Sequence, residues 1–189
     1  MPKRTVVTPK FRVAFPKVFS AQRNELNGKD EYSIVMLFPK DTNLKELKDL
    51  VKEAATEKWG DDQAKWPKNL RIPFRDGDKE KDNLDGYKGH YFVTARSLFK
   101  PGVVDHNVQP ILDQTQFYGG CYALAEVTAY AYSNKGNNGI SFGLNHVQKV
   151  AEGKPFSGRK DVKEVFTAVG GDSESDYADS ADNDDFFKD

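Results

Sequence analysis

The stretch that decides the fold spans residues 121–150 and consists of CYALAEVTAYAYS, then NKGNNG, then ISFGLNHVQKV. In residues 121–133 small apolar side chains occupy every second position, and Tyr, Leu, Glu and Thr stand between them. A two-residue period of this kind is typical of a β-strand that has one face in the core. Glycines bound the segment 136–139, which predicts a turn there. Residues 140–150 are therefore expected to return as the antiparallel partner strand.

Three shorter segments also have the composition of strands. Residues 11–15 and 90–98 alternate apolar with polar or small side chains, whereas residues 32–38 are apolar on both faces. The pair Asn27-Gly28 is a strong hairpin signal. Pro16 lacks a backbone N–H, so it predicts a sheet edge or a bulge directly after the first of these segments.

A single helix is expected between the strands. Leucine, valine and alanine recur at helical spacing through residues 43–59, and Gly60 ends the pattern. Residues 61–89 predict a long loop with a short apolar piece. About five or six strands with one inserted helix predict a mainly β protein, an OB-like, partly open β-barrel. Such a barrel binds oligonucleotides across one sheet face.

The charge of the chain is divided into two opposite parts. The whole sequence has a net charge of −1. Residues 170–189 hold eight acidic residues and one lysine, a charge of −7, and the other 27 basic and 21 acidic residues give residues 1–169 a charge of +6. We therefore expect an OB-like domain over residues 1–169 and a disordered acidic tail over residues 170–189. Phe186 and Phe187, almost at the end of the tail, form a small apolar hook for a partner protein.

Several classes of protein are disfavoured by what the sequence lacks. It contains neither a phosphate-binding loop nor a dinucleotide-binding glycine motif, and its three histidines are not at metal-ligand spacing. The single cysteine excludes an internal disulfide, and no apolar run approaches the ~20 residues of a membrane span. The sequence predicts a protein without catalytic residues, metal site or cofactor, in a reducing cytoplasm and without a membrane partner.

Aromatic and basic side chains interleave on the predicted strands. Proteins that bind single-stranded nucleic acid combine a cationic groove with flat side chains on which bases stack. The candidate stacking residues are Phe92, Tyr118, Tyr122, Tyr130 and Tyr132, and the candidate phosphate-binding residues are Arg12, Lys17, Arg75, Arg96 and Lys100. Aromatic side chains on strands also serve in core and cross-strand packing, so this pattern alone leaves both roles open.

Several strings in the chain resemble a known family. Residues 101–105 (PGVVD), 110–113 (PILD) and 117–122 (FYGGCY) are similar to phage single-stranded-DNA-binding proteins of the OB-fold type, a family first catalogued as a domain of unknown function. The hairpin of residues 129–150 carries the strongest likeness, and Thr8-Pro9 and Phe15-Pro16 fit as well. The resemblance extends over nearly the whole chain up to about residue 158.

The resemblance implies sequence-independent binding of single-stranded DNA in phage DNA replication or recombination, in the cytoplasm of the infected bacterial host. It also implies an OB fold and an acidic tail that recruits phage or host replication proteins. The charge division adds that the tail competes with DNA for the basic domain. A monomer and a dimer both fit the sequence. So does a second function, that of a phage structural or assembly protein whose tail is a docking peptide.

Overall fold

The computed structural model describes residues 3–156 and 165–170. In these residues the β-strands and α-helices, in chain order, are β1 (Val6–Val7), β2 (Phe11–Asn24), β3 (Lys29–Pro39), α1 (Lys45–Trp59), β4 (Arg75–Asp76), α2 (Gly77–Glu80), β5 (His90–Ser97), β6 (Gly102–Val104), β7 (Tyr122–Asn134) and β8 (Asn137–Ala151). Short 3-10 helices span Gln63–Lys65 and Gln114–Gln116. All belong to a compact unit, Met1–Ser157, and a second unit comprises Gly158–Asp189. The boundary between residues 169 and 170 stays a prediction. No helix in the described residues combines the length and apolar content needed to cross a bilayer.

Five of the strands form a barrel. The antiparallel pairs β2–β3, β3–β5, β2–β7 and β7–β8 make most of the wall. The parallel pair β5–β8 completes the ring. The β2–β7 and β5–β8 seams each consist of only two residue pairs, so the barrel is partly open. Five strands in this arrangement, with one main helix, confirm the predicted OB-like fold.

The hairpin of β7 and β8 confirms the alternation on which the fold prediction rests. Ala123, Ala125 and Val127 are at most 1% exposed, and the residues between them are half-buried on the outer face. The predicted turn at 136–139 is wrong in its position, since only Gly136 of that segment belongs to the turn. The turn is Lys135-Gly136, with φ values of 49° and 79°, and Asn134 pairs with Asn137. A two-residue turn with both φ values positive matches the strand twist, so residues 137–139 belong to β8.

Strand β2 bends at the predicted position. Its pairing with β3 shifts register between Ala14 and Lys17, which confirms the bulge expected from Pro16. Phe15, the residue before the proline, has φ of 43°, a conformation that bulky side chains rarely adopt. Beyond the bulge the strand continues to Asn24 and turns through Gly28, whose φ is 70°.

Helix α1 confirms the predicted helix of residues 43–59. Its buried face presents Leu47, Leu50 and Val51 to the barrel core, where the helix contacts β1, β7 and β8. The helix ends at Gly60, whose φ of 87° is easily reached only by glycine.

A second, smaller apolar cluster lies apart from the main core. It contains Ala14, Leu37, Tyr87 and Phe92, with Phe156 packed against it. Ala14, Leu37 and Phe92 alternate along their strands with core residues, so the cluster lies on the outer face of the barrel wall. The loop that covers them is part of the predicted loop of residues 61–89, which also contains β4 and the short helix α2.

One ion-pair cluster holds this loop to the barrel. Lys40, directly after β3, places Nζ 2.8 Å from Asp76 Oδ1 and 2.6 Å from Asp78 Oδ2. The hydrogen bonds from Lys40 lower the pKa of both carboxyl groups, and the two carboxylates raise the pKa of the ammonium group in turn.

Candidate nucleic-acid interface

A row of paired positions, four of them polar and one a glycine, crosses the outer face of all five barrel strands. Lys17 on β2 is opposite Ser33, Ser33 is opposite Arg96, and Arg96 is opposite Gly143 on β8. Gly143 in turn faces Thr128 on β7. Residues directly opposite each other project from the same face of a sheet. The register therefore brings the predicted phosphate ligands Lys17 and Arg96 onto one surface, although β2 and β5 are far apart in sequence.

Beside this row lies an open cleft of about 420 Å³, which we call the Arg96 cleft. Its lining residues come from the β2–β3 hairpin, from the end of β5 with the loop that follows, and from β7: Asn27, Lys29, Glu31, Arg96, Ser97, Leu98, Phe99 and Tyr130. Cations and accessible rings thus occur together. Two predicted site residues, Arg96 and Tyr130, share the cleft, and Lys100 is exposed in the loop next to Phe99.

Gly143, the glycine in this row, leaves the surface beside Tyr130 free of a β8 side chain. A Cβ atom at position 143 would lie 2.6 Å from Thr128 Oγ1 and within 4.0 Å of the Tyr130 ring. No side chain larger than hydrogen fits there unless its neighbours move. One face of Tyr130, which is 36% exposed, is consequently not covered by a β8 side chain at this position.

Glu31 gives the cleft its fixed geometry. The carboxylate accepts hydrogen bonds from Asn24 Nδ2 at 2.9 Å and Asn27 Nδ2 at 2.8 Å, and these tie it to the β2–β3 turn. Its Oε2 lies 3.8 Å from Arg96 Nε. The side chain of Glu31 is only 13% exposed, whereas that of Arg96 is 43% exposed. Arg96 is therefore paired with a largely buried carboxylate, and its guanidinium still faces solvent.

Phe99 is a lining residue of the Arg96 cleft that the sequence analysis did not name. It is 82% exposed, beside Leu98 at 55%, and Ser97 Oγ accepts a hydrogen bond from its backbone N–H at 3.0 Å. An aromatic residue directly before Lys100, just past the end of a strand, was the available signal. A loop residue has no strand parity to mark it, and the resemblance to the family did not single out Phe99 either.

Three other predicted residues, Arg12, Tyr122 and Tyr118, gather elsewhere, around residues 152–156. Arg12 donates to Gly120 O at 3.1 Å and to Lys154 O at 2.7 Å, and its guanidinium carbon lies 4.2 Å from the centre of the Phe156 ring. The Tyr122 ring is 6.0 Å from the same guanidinium carbon. The side chain of Arg12 therefore packs against and hydrogen-bonds the segment that follows β8.

Tyr118 is also engaged in structure. Its hydroxyl donates its one proton to the carboxylate of Glu152, lies 2.9 Å from Gly153 O, and accepts a hydrogen bond from Gly153 N–H at 3.2 Å. The ring lies under Lys149, whose Nζ is 5.2 Å from the ring centre. Burial, followed by the hydrogen bond to Glu152, raises the pKa of the phenol.

Phe92 corrects the prediction of an accessible stacking ring. It lies on the outer face, as strand parity requires, yet it is only 5% exposed. The Tyr87 ring packs edge-on against it at 5.2 Å between centroids, and the Arg75 guanidinium carbon lies 5.4 Å from its ring centre. Arg75 also bonds Glu80 through Nε at 2.7 Å. The covering loop, which sequence periodicity does not reveal, gives Phe92 a packing role.

Tyr132 lies against the backbone of β8. A Cβ at Gly139 would be 2.3 Å from the Tyr132 hydroxyl, so the ring covers the glycine opposite it. The roles predicted for this residue and the other candidates in DNA contact stay predictions. Phe186 and Phe187 of the proposed hook lie outside the described residues.

Comparison with known proteins finds a matching family and a similar phage protein. The family described as Enterobacter phage Enc34, ssDNA-binding protein, matches residues 4–185. Protein p50 of Acyrthosiphon pisum secondary endosymbiont phage 1 is 33% identical over 156 residues, which cover 78% of this chain and 83% of that protein.

Solved structures agree in fold. The single-stranded DNA-binding protein from bacteriophage Enc34, in complex with ssDNA, superposes with a TM-score of 0.66 at 22% identity, over 81% of this chain and 89% of that one. The protein gp2.5 of bacteriophage T7, also a single-stranded DNA-binding protein, gives a TM-score of 0.57 at 15% identity, over 85% and 99% of the two chains. The family description, an ssDNA-binding protein, agrees with the prediction that this chain is not an enzyme.

Proposed function

Because this chain belongs to the phage single-stranded-DNA-binding family of Enterobacter phage Enc34, we propose that it binds single-stranded DNA without sequence preference. The observation that carries the proposal is the Arg96 cleft, where exposed cations and rings that are free to stack lie together on the outer face of an OB-like barrel. Stacking on a ring tolerates any base, because every base has a flat face. Arg96, Lys29 and Lys17 supply positive charge along the same surface.

Discrimination between single strand and duplex follows from the same geometry. Bases in a duplex are stacked on one another and cannot reach Phe99 or Tyr130, so only the phosphate contacts remain available to double-stranded DNA. The test is a gel shift of labelled oligo-dT against a duplex of equal length at 50 mM salt. Tighter binding of the duplex, or no shift with either, would refute the proposal. The latter result is also what a phage assembly protein with a docking tail would give.

We further propose that binding serves phage DNA replication or recombination in the cytoplasm of the infected bacterial host. The support is the family and the structural likeness to phage DNA-binding proteins. A protein of this kind keeps single strands unpaired while other enzymes copy or exchange them. In infected cells, loss of the protein should stop phage DNA synthesis while early phage proteins continue to be made.

The acidic tail is proposed to have two roles, both supported by its sequence. A charge of −7 in residues 170–189 competes with phosphates for the basic domain, and the pair Phe186-Phe187 docks onto a phage or host replication protein. Replacing both phenylalanines by alanine should abolish capture of that partner and leave oligo-dT binding intact. Loss of both activities together would contradict a separate docking role.

A further inference from the structure

A second cleft, distinct from the Arg96 cleft, opens on the outer face beside the bulge of β2. Its volume is about 410 Å³, and we call it the Phe15 cleft. The wall residues come from the bulge, from the loop before β5, from the segment before β7 and from the segment after β8. They are Ala14, Phe15, Pro16, Asn83, Leu84, Asp85, Tyr87, Gly119 and Phe156. We propose that this cleft is a subsite that receives one unstacked base of the bound single strand. The inference rests on the proposed function and extends it.

The walls of the cleft are already in place. Phe156 donates its backbone N–H to Gly119 O at 3.0 Å, and its ring lies under the Arg12 guanidinium. Phe15, another lining residue, is 56% exposed and has φ of 43° at the bulge. Strained backbone at a bulky residue persists only where the surrounding structure imposes it. The bulge thus leaves an exposed aromatic ring in the lining of the cleft, with the ring of Phe156 fixed in the same lining.

The composition of the lining selects a base rather than a phosphate. No lysine or arginine is among the lining residues, and the charged one is Asp85, which repels phosphate. Asn83 and Asp85 are amide and carboxylate groups of the kind that hydrogen-bond base edges. The same carboxylate disfavours the tail as occupant, because Phe186 is preceded directly by Asp184 and Asp185.

The position of the cleft suits a strand lying on the row of Lys17, Ser33 and Arg96. Ala14, in the cleft wall, is opposite Val35, and Val35 is opposite Thr94. Val35 and Ser33 are two residues apart on β3, about 6.6 Å along the strand. A nucleotide whose phosphate is held by Lys17 can therefore turn its base toward Phe15, on the same face of the sheet.

The test compares the full-length protein with Phe15→Ala, using oligo-dT and an abasic deoxyribose-phosphate oligomer of equal length, by fluorescence anisotropy over a range of salt. Loss of one stacked base weakens oligo-dT binding between about 5-fold and 150-fold. Binding of the abasic oligomer and the slope of log K against log[salt] are expected to stay unchanged. Phe15→Tyr, which keeps the ring, should restore binding, and Leu112→Ala, at a residue that is 88% exposed, should have no effect.

Three results would overturn the inference. Unchanged oligo-dT affinity in Phe15→Ala shows that no base uses the cleft, and equal weakening for both oligomers shows that Phe15 acts through the fold. Tighter oligo-dT binding, cancelled by Phe186→Ala with Phe187→Ala, assigns the cleft to the tail. Failure of the proposed function is separate, since the unmodified protein would then bind neither oligomer.

Discussion

Removal of Lys17 and Arg96 gives the sharpest test of the DNA-binding surface. These two cations lie on one row of the outer face, and Lys29 and Lys100 stand in or beside the Arg96 cleft. If each of the four neutralises one phosphate, the slope of log K against log[salt] is about −2.8, because each phosphate of a single strand contributes about −0.7. Oligo-dT affinity then falls about 50-fold between 50 mM and 200 mM salt.

In the double variant Lys17→Gln/Arg96→Gln the slope should drop to about −1.4, so that the same change in salt costs only about 7-fold in affinity. The assay is anisotropy of labelled oligo-dT at five or six salt concentrations. A matched control, Lys48→Gln/Lys52→Gln, removes the same charge from exposed positions of α1 and should keep the original slope. An unaltered slope in the first variant, or an equal drop in the control, would refute the assignment of this surface.

Three further predictions concern the tail, the core and the ion pairs of Lys40 with Asp76 and Asp78. Deletion of residues 170–189 should tighten oligo-dT binding at 50 mM salt and leave it unchanged near 1 M, where screening shortens to about 3 Å; equal affinity at low salt would show that the tail does not compete. Phe142→Ala, at a fully buried ring packed edge-on against Phe74, should lower the free energy of unfolding in urea by about 3–5 kcal/mol, and a loss below about 1 kcal/mol would contradict its place in the core. The lowered pKa values of Asp76 and Asp78 stabilise the fold above their ordinary value of about 3.9, and this contribution is lost as the pH falls further. Lys40→Met should therefore lower Tm at pH 6 and match the unmodified protein near pH 2, and a gap independent of pH would exclude the ion pairs as its cause.

The barrel fold could be predicted because its strongest signals come from residues that are close together in the sequence. The period-two pattern of residues 121–133, the pair Asn27-Gly28 and the spacing of apolar residues in α1 each depend on neighbours in sequence. Even the bulge at Pro16 follows from a missing N–H. The error at the β7–β8 turn arose because Asn-Asn-Gly is as compatible with a loop as Lys135-Gly136, and only the strand twist decides between them.

The candidate site was harder to predict for the opposite reason. Strand parity correctly placed Phe92, Arg96 and Tyr130 on the outer face. It could not show that the loop before β5 covers Phe92, or that Arg12 contacts Lys154 and Phe156 in the segment after β8. Both depend on contacts between segments distant in the chain. Phe99 was missed because a loop residue has no period to mark it.

The short seam between β5 and β8 has a consequence for the order of folding. The pairs Ala95↔Phe142 and Arg96↔Gly143 join segments nearly fifty residues apart, and such non-local pairing is slow to form. On the ribosome, β2, β3 and β5 are made first and must wait as an unclosed sheet, in which the edge of β2 is bare and the edge of β5 is covered only by β4 at residues 91 and 92. Since the row through Arg96 crosses this seam, a nascent chain has no complete surface for DNA until β8 has emerged and docked.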